Sequence, residues 1–334
     1  MQTKVMPCDE AGIRAAADLL RRGELVGFPT ETVYGLGADA LNGEAAARIF
    51  AAKGRPADNP LIAHIAGESG LAGLIAGEPC ACARALMRAF WPGPMTLIFP
   101  KSPRVPREVT AGLDTVAVRM PSHPVARTLI SAAQTPIAAP SANRSGRPSP
   151  TTAAHVLEDM EGRIPLILDG GPCEVGLEST VVDVTGARPR ILRPGGVTLE
   201  MLEGVVGDVD VDEGVLHQLQ AGSQARSPGM KYKHYAPKGE VTIVTGPRAA
   251  QEIARLYDAA DGRAAILAFS QADYGARRVY RLKNAPGELF AALRQLDEDG
   301  METIYAEDVP TTGVGLAVMN RLMRAAAFRV VEAQ

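Results

Sequence analysis

The sequence predicts an α/β protein built in two units, and three observations carry that reading. Short apolar runs alternate with alanine-rich stretches of helical spacing, the pattern of a sheet covered by helices. Basic or hydroxyl-bearing residues recur where those runs end, the place where α/β proteins put ligand groups. A change to acidic and then polar composition, residues 204–213 and 218–227, separates a smaller alternating stretch from the rest.

The totals agree. A chain of 334 residues is long for a single core. Hydrophobic content of 46% and charged content of 22% are ordinary for a globular protein. Aromatic content of 4% under-supplies a surface that would stack single-stranded bases. The net charge of −3 argues against a protein coated in nucleic acid, while leaving room for a locally basic cavity. The four cysteines, Cys8, Cys80, Cys82 and Cys173, match neither a disulfide framework nor a zinc site, and are read as free thiols. The first residues lack an apolar signal core, and no later run approaches the roughly 18 apolar residues of a membrane helix. A cytoplasmic protein with no membrane partner is expected.

In chain order, Asp9 can cap a helix that stops at Gly23, and residues 25–28 follow as a short buried strand. PTETVYGLGADA, residues 29–40, is dense in hydroxyls and glycines and reads as a loop. Gly35 and Gly37 would let a ligand approach the backbone, while Thr30 and Thr32 are also plain turn-stabilising hydroxyls. A helix over 44–52 ends at KGRPADNPLIAH, residues 53–64, where Gly54 and Pro56 stop it and a strand over 61–65 begins. Lys53, Arg55, Asn59 and His64 crowd this corner. Arginine offers a planar fork to phosphate or carboxylate, and lysine a mobile charge. The same cations could form a solvated helix end, and His64 could be a satisfied core group.

Residues 79–90 read as helix, and WPGPMTLIF, residues 91–99, turns through a rigid elbow into a strand, with Trp91 as core or wall. The strand that begins at Asp114-Thr115 ends on Arg119, pointing a cation at the mouth of the sheet. PIAAPSANRSGRPSPT, residues 136–151, follows a strand of small residues with Ser141, Asn143, Ser145, Ser149, Arg144 and Arg147. Such a loop can bind phosphate or ribose, or be a proline-pinned solvated loop. GLESTVVDV, residues 176–184, enters a strand through Ser179, and another strand ends on Arg193 in RPGG. SPGMKYKHYAP, residues 227–237, is richer in Lys, His and Tyr than a spacer needs and could fold over a phosphate-bearing ligand. From Gly239 strands are expected over 241–245 and 264–269, with helices over 249–259, 288–297 and 316–328. The expected organisation is 1–205, a linker over 206–238, and 239–334.

No Ser-His-Asp set, metal cluster or hydrolytic carboxylate pair stands out. A site rich in cations and hydroxyls suits phosphoryl or nucleotidyl transfer. Taken together and in order, PTETVYGLGADA, KGRP-x-x-NPL, WPGPMTL, the strand ending on Arg119, APSANRSGRPSPT, GLESTVVDV, RPGG and SPGMKYKHYAP resemble the long, two-domain threonylcarbamoyl-AMP synthases of the YrdC-like family. That resemblance implies a twisted mixed sheet with helices around a basic cavity, plus a smaller Rossmann-like α/β domain. It implies an enzyme that joins L-threonine, bicarbonate or CO2, and ATP into threonylcarbamoyl-AMP with release of pyrophosphate. The product would serve the N6-threonylcarbamoyl modification of adenosine 37 in tRNA, through separate transferase partners.

Carried over by motif, Thr32, His64, Arg119, Ala139 and Ser179 would line the threonine pocket, with Arg119 on the carboxylate. Lys53, Arg55, Asn59, Thr115, Ser141, Asn143, Ser149 and Arg193 would surround ATP, with Lys53 and Arg55 as the catalytic cations. His234 and Tyr235 would close over the nucleotide. Mg2+ would arrive with ATP rather than on a tight protein site. Two other readings stay open on sequence grounds: a double-stranded RNA or nucleotide-binding module without catalysis, and carbamoyl transfer as in hydrogenase maturation.

Overall fold

The structure is a computed structural model that describes residues 2–217 and 235–334. The first unit runs β1 (Lys4–Pro7), α1 (Glu10–Arg21), β2 (Val26–Phe28), β3 (Gly35–Asp39), α2 (Gly43–Lys53), β4 (Ile62–His64), α3 (Ala81–Phe90), β5 (Met95–Pro100) and α4 (Arg107–Thr110). It continues through β6 (Thr115–Arg119), α5 (Pro124–Ala133), β7 (Ile137–Ala138), α6 (Ala153–Met160), β8 (Leu166–Asp169), β9 (Thr180–Asp183), β10 (Arg190–Arg193), α7 (Leu199–Val206) and β11 (Asp210–Val211). All of these strands form one sheet in the order β1-β8-β2-β3-β7-β4-β6-β5-β9-β10-β11. Parallel pairs such as β4–β6 mix with antiparallel pairs such as β5–β6.

The ends of the elements follow local chemistry. The Asp9 carboxylate accepts from Gly12 N and opens α1, and Asn42 does the same for α2 through Glu44 N and Ala45 N. Gly54, left-handed, closes α2. Along β6 the side chains alternate, so Val116 and Val118 enter the main core while Ala117 joins a small apolar cluster with Ile62, Ile98, Val181 and Leu192. Thr115 and Arg119 share the face of Ala117. Trp91 is buried in the main core, its Nε1 donating to the Met95 carbonyl at 2.8 Å.

Two segments differ from the sequence reading. Residues 35–39 are strand β3 rather than loop, paired with β2 and β7. Gly35 and Gly37 make room for a neighbour: a Cβ on them would stand 3.0 and 2.9 Å from the Phe28 ring. The acidic stretch after α7, read as linker, adds edge strand β11 to the first sheet beside β10.

The second unit runs β12 (Glu240–Thr245), α8 (Ala249–Asp258), β13 (Ala264–Ala268), β14 (Val279–Arg281), α9 (Ala285–Glu298), β15 (Thr303–Glu307), α10 (Gly315–Ala325) and β16 (Val330–Glu332). Its strands pair in parallel, in the order β14-β13-β15-β12-β16. Its core takes in Val33 and Leu177 of the first unit, so apolar packing continues across the join. The backbones meet closely there: a Cβ on Gly176 would lie 2.6 Å from the Gly287 Cα. Among the described residues no helix is long and apolar enough to cross a membrane.

Candidate active site

The parallel register of β4 and β6 sets His64 beside Arg119 at the carboxyl ends of both strands. Antiparallel β7 runs the other way and lays Ala139, Pro140 and Ser141 past Ile62, beside the start of β4, while β9 and β10 deliver Ser179 at the start of one and Arg193 at the end of the other, near Arg119. The loop from β2 to β3 adds Thr30 and Thr32. These residues, with Arg55, Glu178 and Tyr235, line one cavity with about 40 Å³ of open room. Three guanidinium groups therefore face a shared space that lies over the face of the sheet carrying Ile62 and His64.

All five residues of the expected threonine set, Thr32, His64, Arg119, Ala139 and Ser179, line this cavity. Arg119 is only 4% exposed and is held on three sides. Its Nη1 donates to Thr32 Oγ1 at 2.8 Å, its Nε to the Gly93 carbonyl at 3.3 Å, and its Nη2 lies 2.6 Å from Glu31 Oε1. The Glu31 contact is off the hydrogen-bond line, an ion pair rather than an aligned bond. Each Nη also carries a second N–H, enough for a substrate carboxylate. Burial, the largest single influence, pushes the Glu31 carboxyl up, but the Arg119 guanidinium and the backbone at Glu31 and Ser122 together outweigh it and hold the group below its usual value.

His64 is buried, with Nδ1 3.0 Å from the Ile62 carbonyl. A carbonyl only accepts, so Nδ1 carries the proton and Nε2 is left as an acceptor. Burial, reinforced by the Arg119 charge, pulls the imidazole down to about 3, so it is neutral at physiological pH. Ser179 Oγ lies 2.7 Å from Thr96 Oγ1, and Arg193 donates through Nε and Nη2 to the Ser179 carbonyl at 3.1 and 3.0 Å.

The expected nucleotide set divides. Arg55, Ser141, Arg193 and Tyr235 line the cavity. Lys53 does not: its buried Nζ donates to the carbonyls of Ser141 and Asn143 and sits 3.4 Å from Asn143 Oδ1, so its donors are spent on the loop. Burial pushes its pKa well below the ordinary lysine value. Asn143 is also turned into the loop, donating to the Arg144 and Arg147 carbonyls, and Ser149 donates to Glu178 Oε1. Asn59 is buried, its carbonyl accepting from Arg55 Nη2 at 2.9 Å. Thr115 stands four residues before Arg119, about 13 Å along the strand and on the same face. His234 lies outside the described residues, as do residues 227–233 of the expected closing segment.

Sequence reading passed over Glu31 and Glu178. Glu178 lines the cavity at 6% exposure, and burial alone would raise its carboxyl; the charges of Arg321 and Arg193 reverse this and hold it low. The position of each, one residue before a hydroxyl of the threonine set, was the available signal. Among the described residues no group of three or more His, Cys, Asp or Glu is placed to hold a metal ion.

Known proteins share the sequence and fold of this chain. The family described as "Telomere recombination" (Sua5, YciO and YrdC) matches residues 18–195, and "Threonylcarbamoyl-AMP synthase, C-terminal domain" matches residues 197–327. The threonylcarbamoyl-AMP synthase of Pyrococcus abyssi is 48% identical over 97% of this chain and 96% of its own. The chain belongs to the threonylcarbamoyl-AMP synthase family. The Bacillus subtilis synthase is also 48% identical, over 98% of this chain and 97% of its own. The crystal structure of P. abyssi Sua5 complexed with L-threonine superposes with a TM-score of 0.93 at 47% identity, covering 100% of this chain and 99% of that one. A large mixed sheet followed by a parallel-sheet unit is thus the architecture this chain shares with P. abyssi Sua5.

Proposed function

We infer that this protein makes L-threonylcarbamoyl-AMP from L-threonine, bicarbonate or CO2, and ATP, releasing pyrophosphate, for N6-threonylcarbamoylation of adenosine 37 in tRNA. The observation that carries this is the single cavity in which Arg55, Arg119 and Arg193 converge with Thr32, Ser141, Ser179 and a neutral His64. Arg119, with Thr32 beside it, takes the threonine carboxylate, a planar task that lysine would fill poorly. Ala139 and Ser179 bound the side-chain end, and His64 Nε2 accepts from the substrate. Arg55, Arg193 and Ser141 face the phosphates, while Thr115, Asn59 and the apolar cluster around Ala117 extend the same face towards the adenosine. Lys53, Asn143 and Ser149 act behind the cavity by fixing its loop.

Threonine's amine combines with CO2 to give a carbamate, one oxygen of which attacks the α-phosphorus in line. The bond to the bridging oxygen breaks, and that electron pair leaves with pyrophosphate. The guanidinium groups offset charge that develops on the phosphates. Mg2+ comes as part of the ATP substrate, because Glu178, the carboxylate that lines the cavity, is already engaged by Arg321, and Glu31 behind it by Arg119. Room of about 40 Å³ holds water rather than ATP, so the nucleotide enters when walls such as Tyr235 draw back. The adenylate then passes, in the cytoplasm, to a tRNA-modifying transferase. The test is pyrophosphate release by purified protein with ATP and bicarbonate, with L-threonine added or withheld. Release that depends on both co-substrates is expected; ATP binding without release overturns the reading.

A further inference from the structure

Among the described residues, two buried arginines of the second unit reach the part of the first unit around the cavity. Arg294 of α9 meets Asp159 at 2.6 Å, Glu158 at 2.9 Å and the Pro148 carbonyl at 2.6 Å, behind the loop that carries Ser149. Arg321 of α10 goes further and touches the walls of the cavity. Its Nε donates to Glu178 Oε2 at 2.9 Å, and its Nη1 to the Pro194 carbonyl at 2.7 Å and to Asn320 Oδ1 at 2.9 Å. Its guanidinium lies 5.6 Å from the centre of the Tyr235 ring, which in turn packs on Phe290 of α9 with centroids 5.2 Å apart. One side chain with 0% exposure thus joins the residue before Ser179, the residue after Arg193, and Tyr235.

A guanidinium buried this fully is costly to desolvate, and an apolar side chain would fill the join at less cost. Arg321 does something an apolar residue could not: it takes up the charge of Glu178. Arg193 stands next to that carboxylate, its Nε and Nη2 on the Ser179 carbonyl, and faces the same cavity. Without Arg321, the buried carboxylate would fall on Arg193 and compete with phosphate for it. Loss of the Nη1 bond would also loosen the Pro194 carbonyl next to Arg193.

We propose that Arg321 is a positioning residue of the active site, one that neutralises Glu178 and pins Pro194 so that Arg193 serves the ATP phosphates. The second unit is thereby a working part of the site. The proposal rests on the synthase reading, whose own test is threonine-dependent pyrophosphate release by the wild-type chain; ATP affinity by calorimetry reads the role of Arg321 apart from that release.

Wild type, Arg321→Met and the double variant Arg321→Met/Glu178→Gln are compared in full-length protein for ATP affinity by calorimetry, KM of each substrate, kcat and melting temperature. Arg321→Met should raise the ATP KM by about tenfold or more, the scale of a charged hydrogen bond, with the threonine KM shifted less than about threefold. The double variant should return the ATP KM to within about threefold of wild type even where melting stays lowered, because no buried carboxylate is left to draw on Arg193. A structural role alone would lower the apparent kcat with the folded fraction, or weaken both substrates alike, and show no rescue. That outcome, or a double variant no better than the single, overturns the proposal. If Arg321→Met does not fold, Glu178→Gln alone decides: with Arg321 uncompensated, ATP should bind tighter by about threefold or more, and unchanged or weaker binding overturns the proposal.

Discussion

Removing Arg119 tests the threonine end of the site, provided stability and binding are kept apart. Arg119 and Glu31 are 4% and 3% exposed and 2.6 Å apart. Arg119→Ala alone strands a buried carboxylate, and breaking such a pair costs about 3–5 kcal/mol. For a unit of this size that lowers the melting temperature by about 10 °C and would confound the kinetics. Glu31→Gln/Arg119→Ala removes both charges and should cost only about 1–2 kcal/mol. The threonine carboxylate then loses a charge-assisted contact of about 1.5–3 kcal/mol, a rise in threonine KM of about 10- to 150-fold. Arg55 and Arg193 are untouched, so ATP binding by calorimetry should stay within about threefold of wild type. The assay is threonine-dependent pyrophosphate release at saturating ATP, beside calorimetry and a thermal melt. Threonine and ATP weakening in parallel, or a threonine KM that does not move, would refute the assignment of Arg119 to the carboxylate.

His64, held at about 3 against an ordinary value of 6.5, binds fewer protons folded than unfolded between those values, so stability is full above pH 6.5 and falls as pH drops through the window. From pH 7.5 to 5 that is about 2 kcal/mol of lost stability by denaturant titration, and His64→Asn should remove that share of the loss. Because His64 does not titrate there in the folded protein, kcat at saturating substrates should show no limb of its own between about pH 6 and 8; a limb near 6.5 in wild type that His64→Asn abolishes would contradict the neutral assignment. Lys53→Met should lower the melting temperature and raise the ATP KM together, through the freed Ser141 and Asn143 carbonyls; a lower kcat with unchanged melting would instead place the ammonium on the phosphates. Ala139→Val should narrow the threonine end and raise the threonine KM by about tenfold or more, with serine, which lacks the γ-methyl, penalised less; equal penalties would move Ala139 away from the side chain.

Much of the first unit was legible because its signals are local. Asp9 and Asn59-Pro60, Gly54 after an alanine-rich helix, and cations at the ends of β6 and β10 are each readable within a few residues. Strand β3 was not, since two glycines and the polar Thr30 and Thr32 look like loop until the Phe28 ring is seen to need the space. Likewise β11 has only two paired residues, and nothing in an acidic stretch foretells its partner. Lys53 shows a second limit. Charge and corner placement are visible in sequence, but whether the ammonium turns towards the cavity or back to Ser141 and Asn143 depends on residues about 90 positions away. Arg294 and Arg321 fall at that limit too, because each is an ordinary basic residue on an amphipathic helix until its partner in the other unit is known.

The two buried carboxylates make physical sense together. A cavity that receives ATP and a carboxylate needs cations, yet a guanidinium held in a dry site without an anion is expensive. Glu31 resolves this for Arg119: it fixes the fork while the substrate is absent and leaves N–H groups for it. Glu178 cannot do the same for Arg193 without competing for it, and the protein's answer is a further cation from outside the sheet. Arg321 supplies that charge from a helix of the second unit, so Glu178 is neutralised beside Arg193. A single-domain arrangement of the same corner would need either another residue in place of Arg321 or an uncharged group at the position of Glu178. The join between the units is therefore where the electrostatics of the site is settled, and the second unit belongs to the chemistry as well as to the fold.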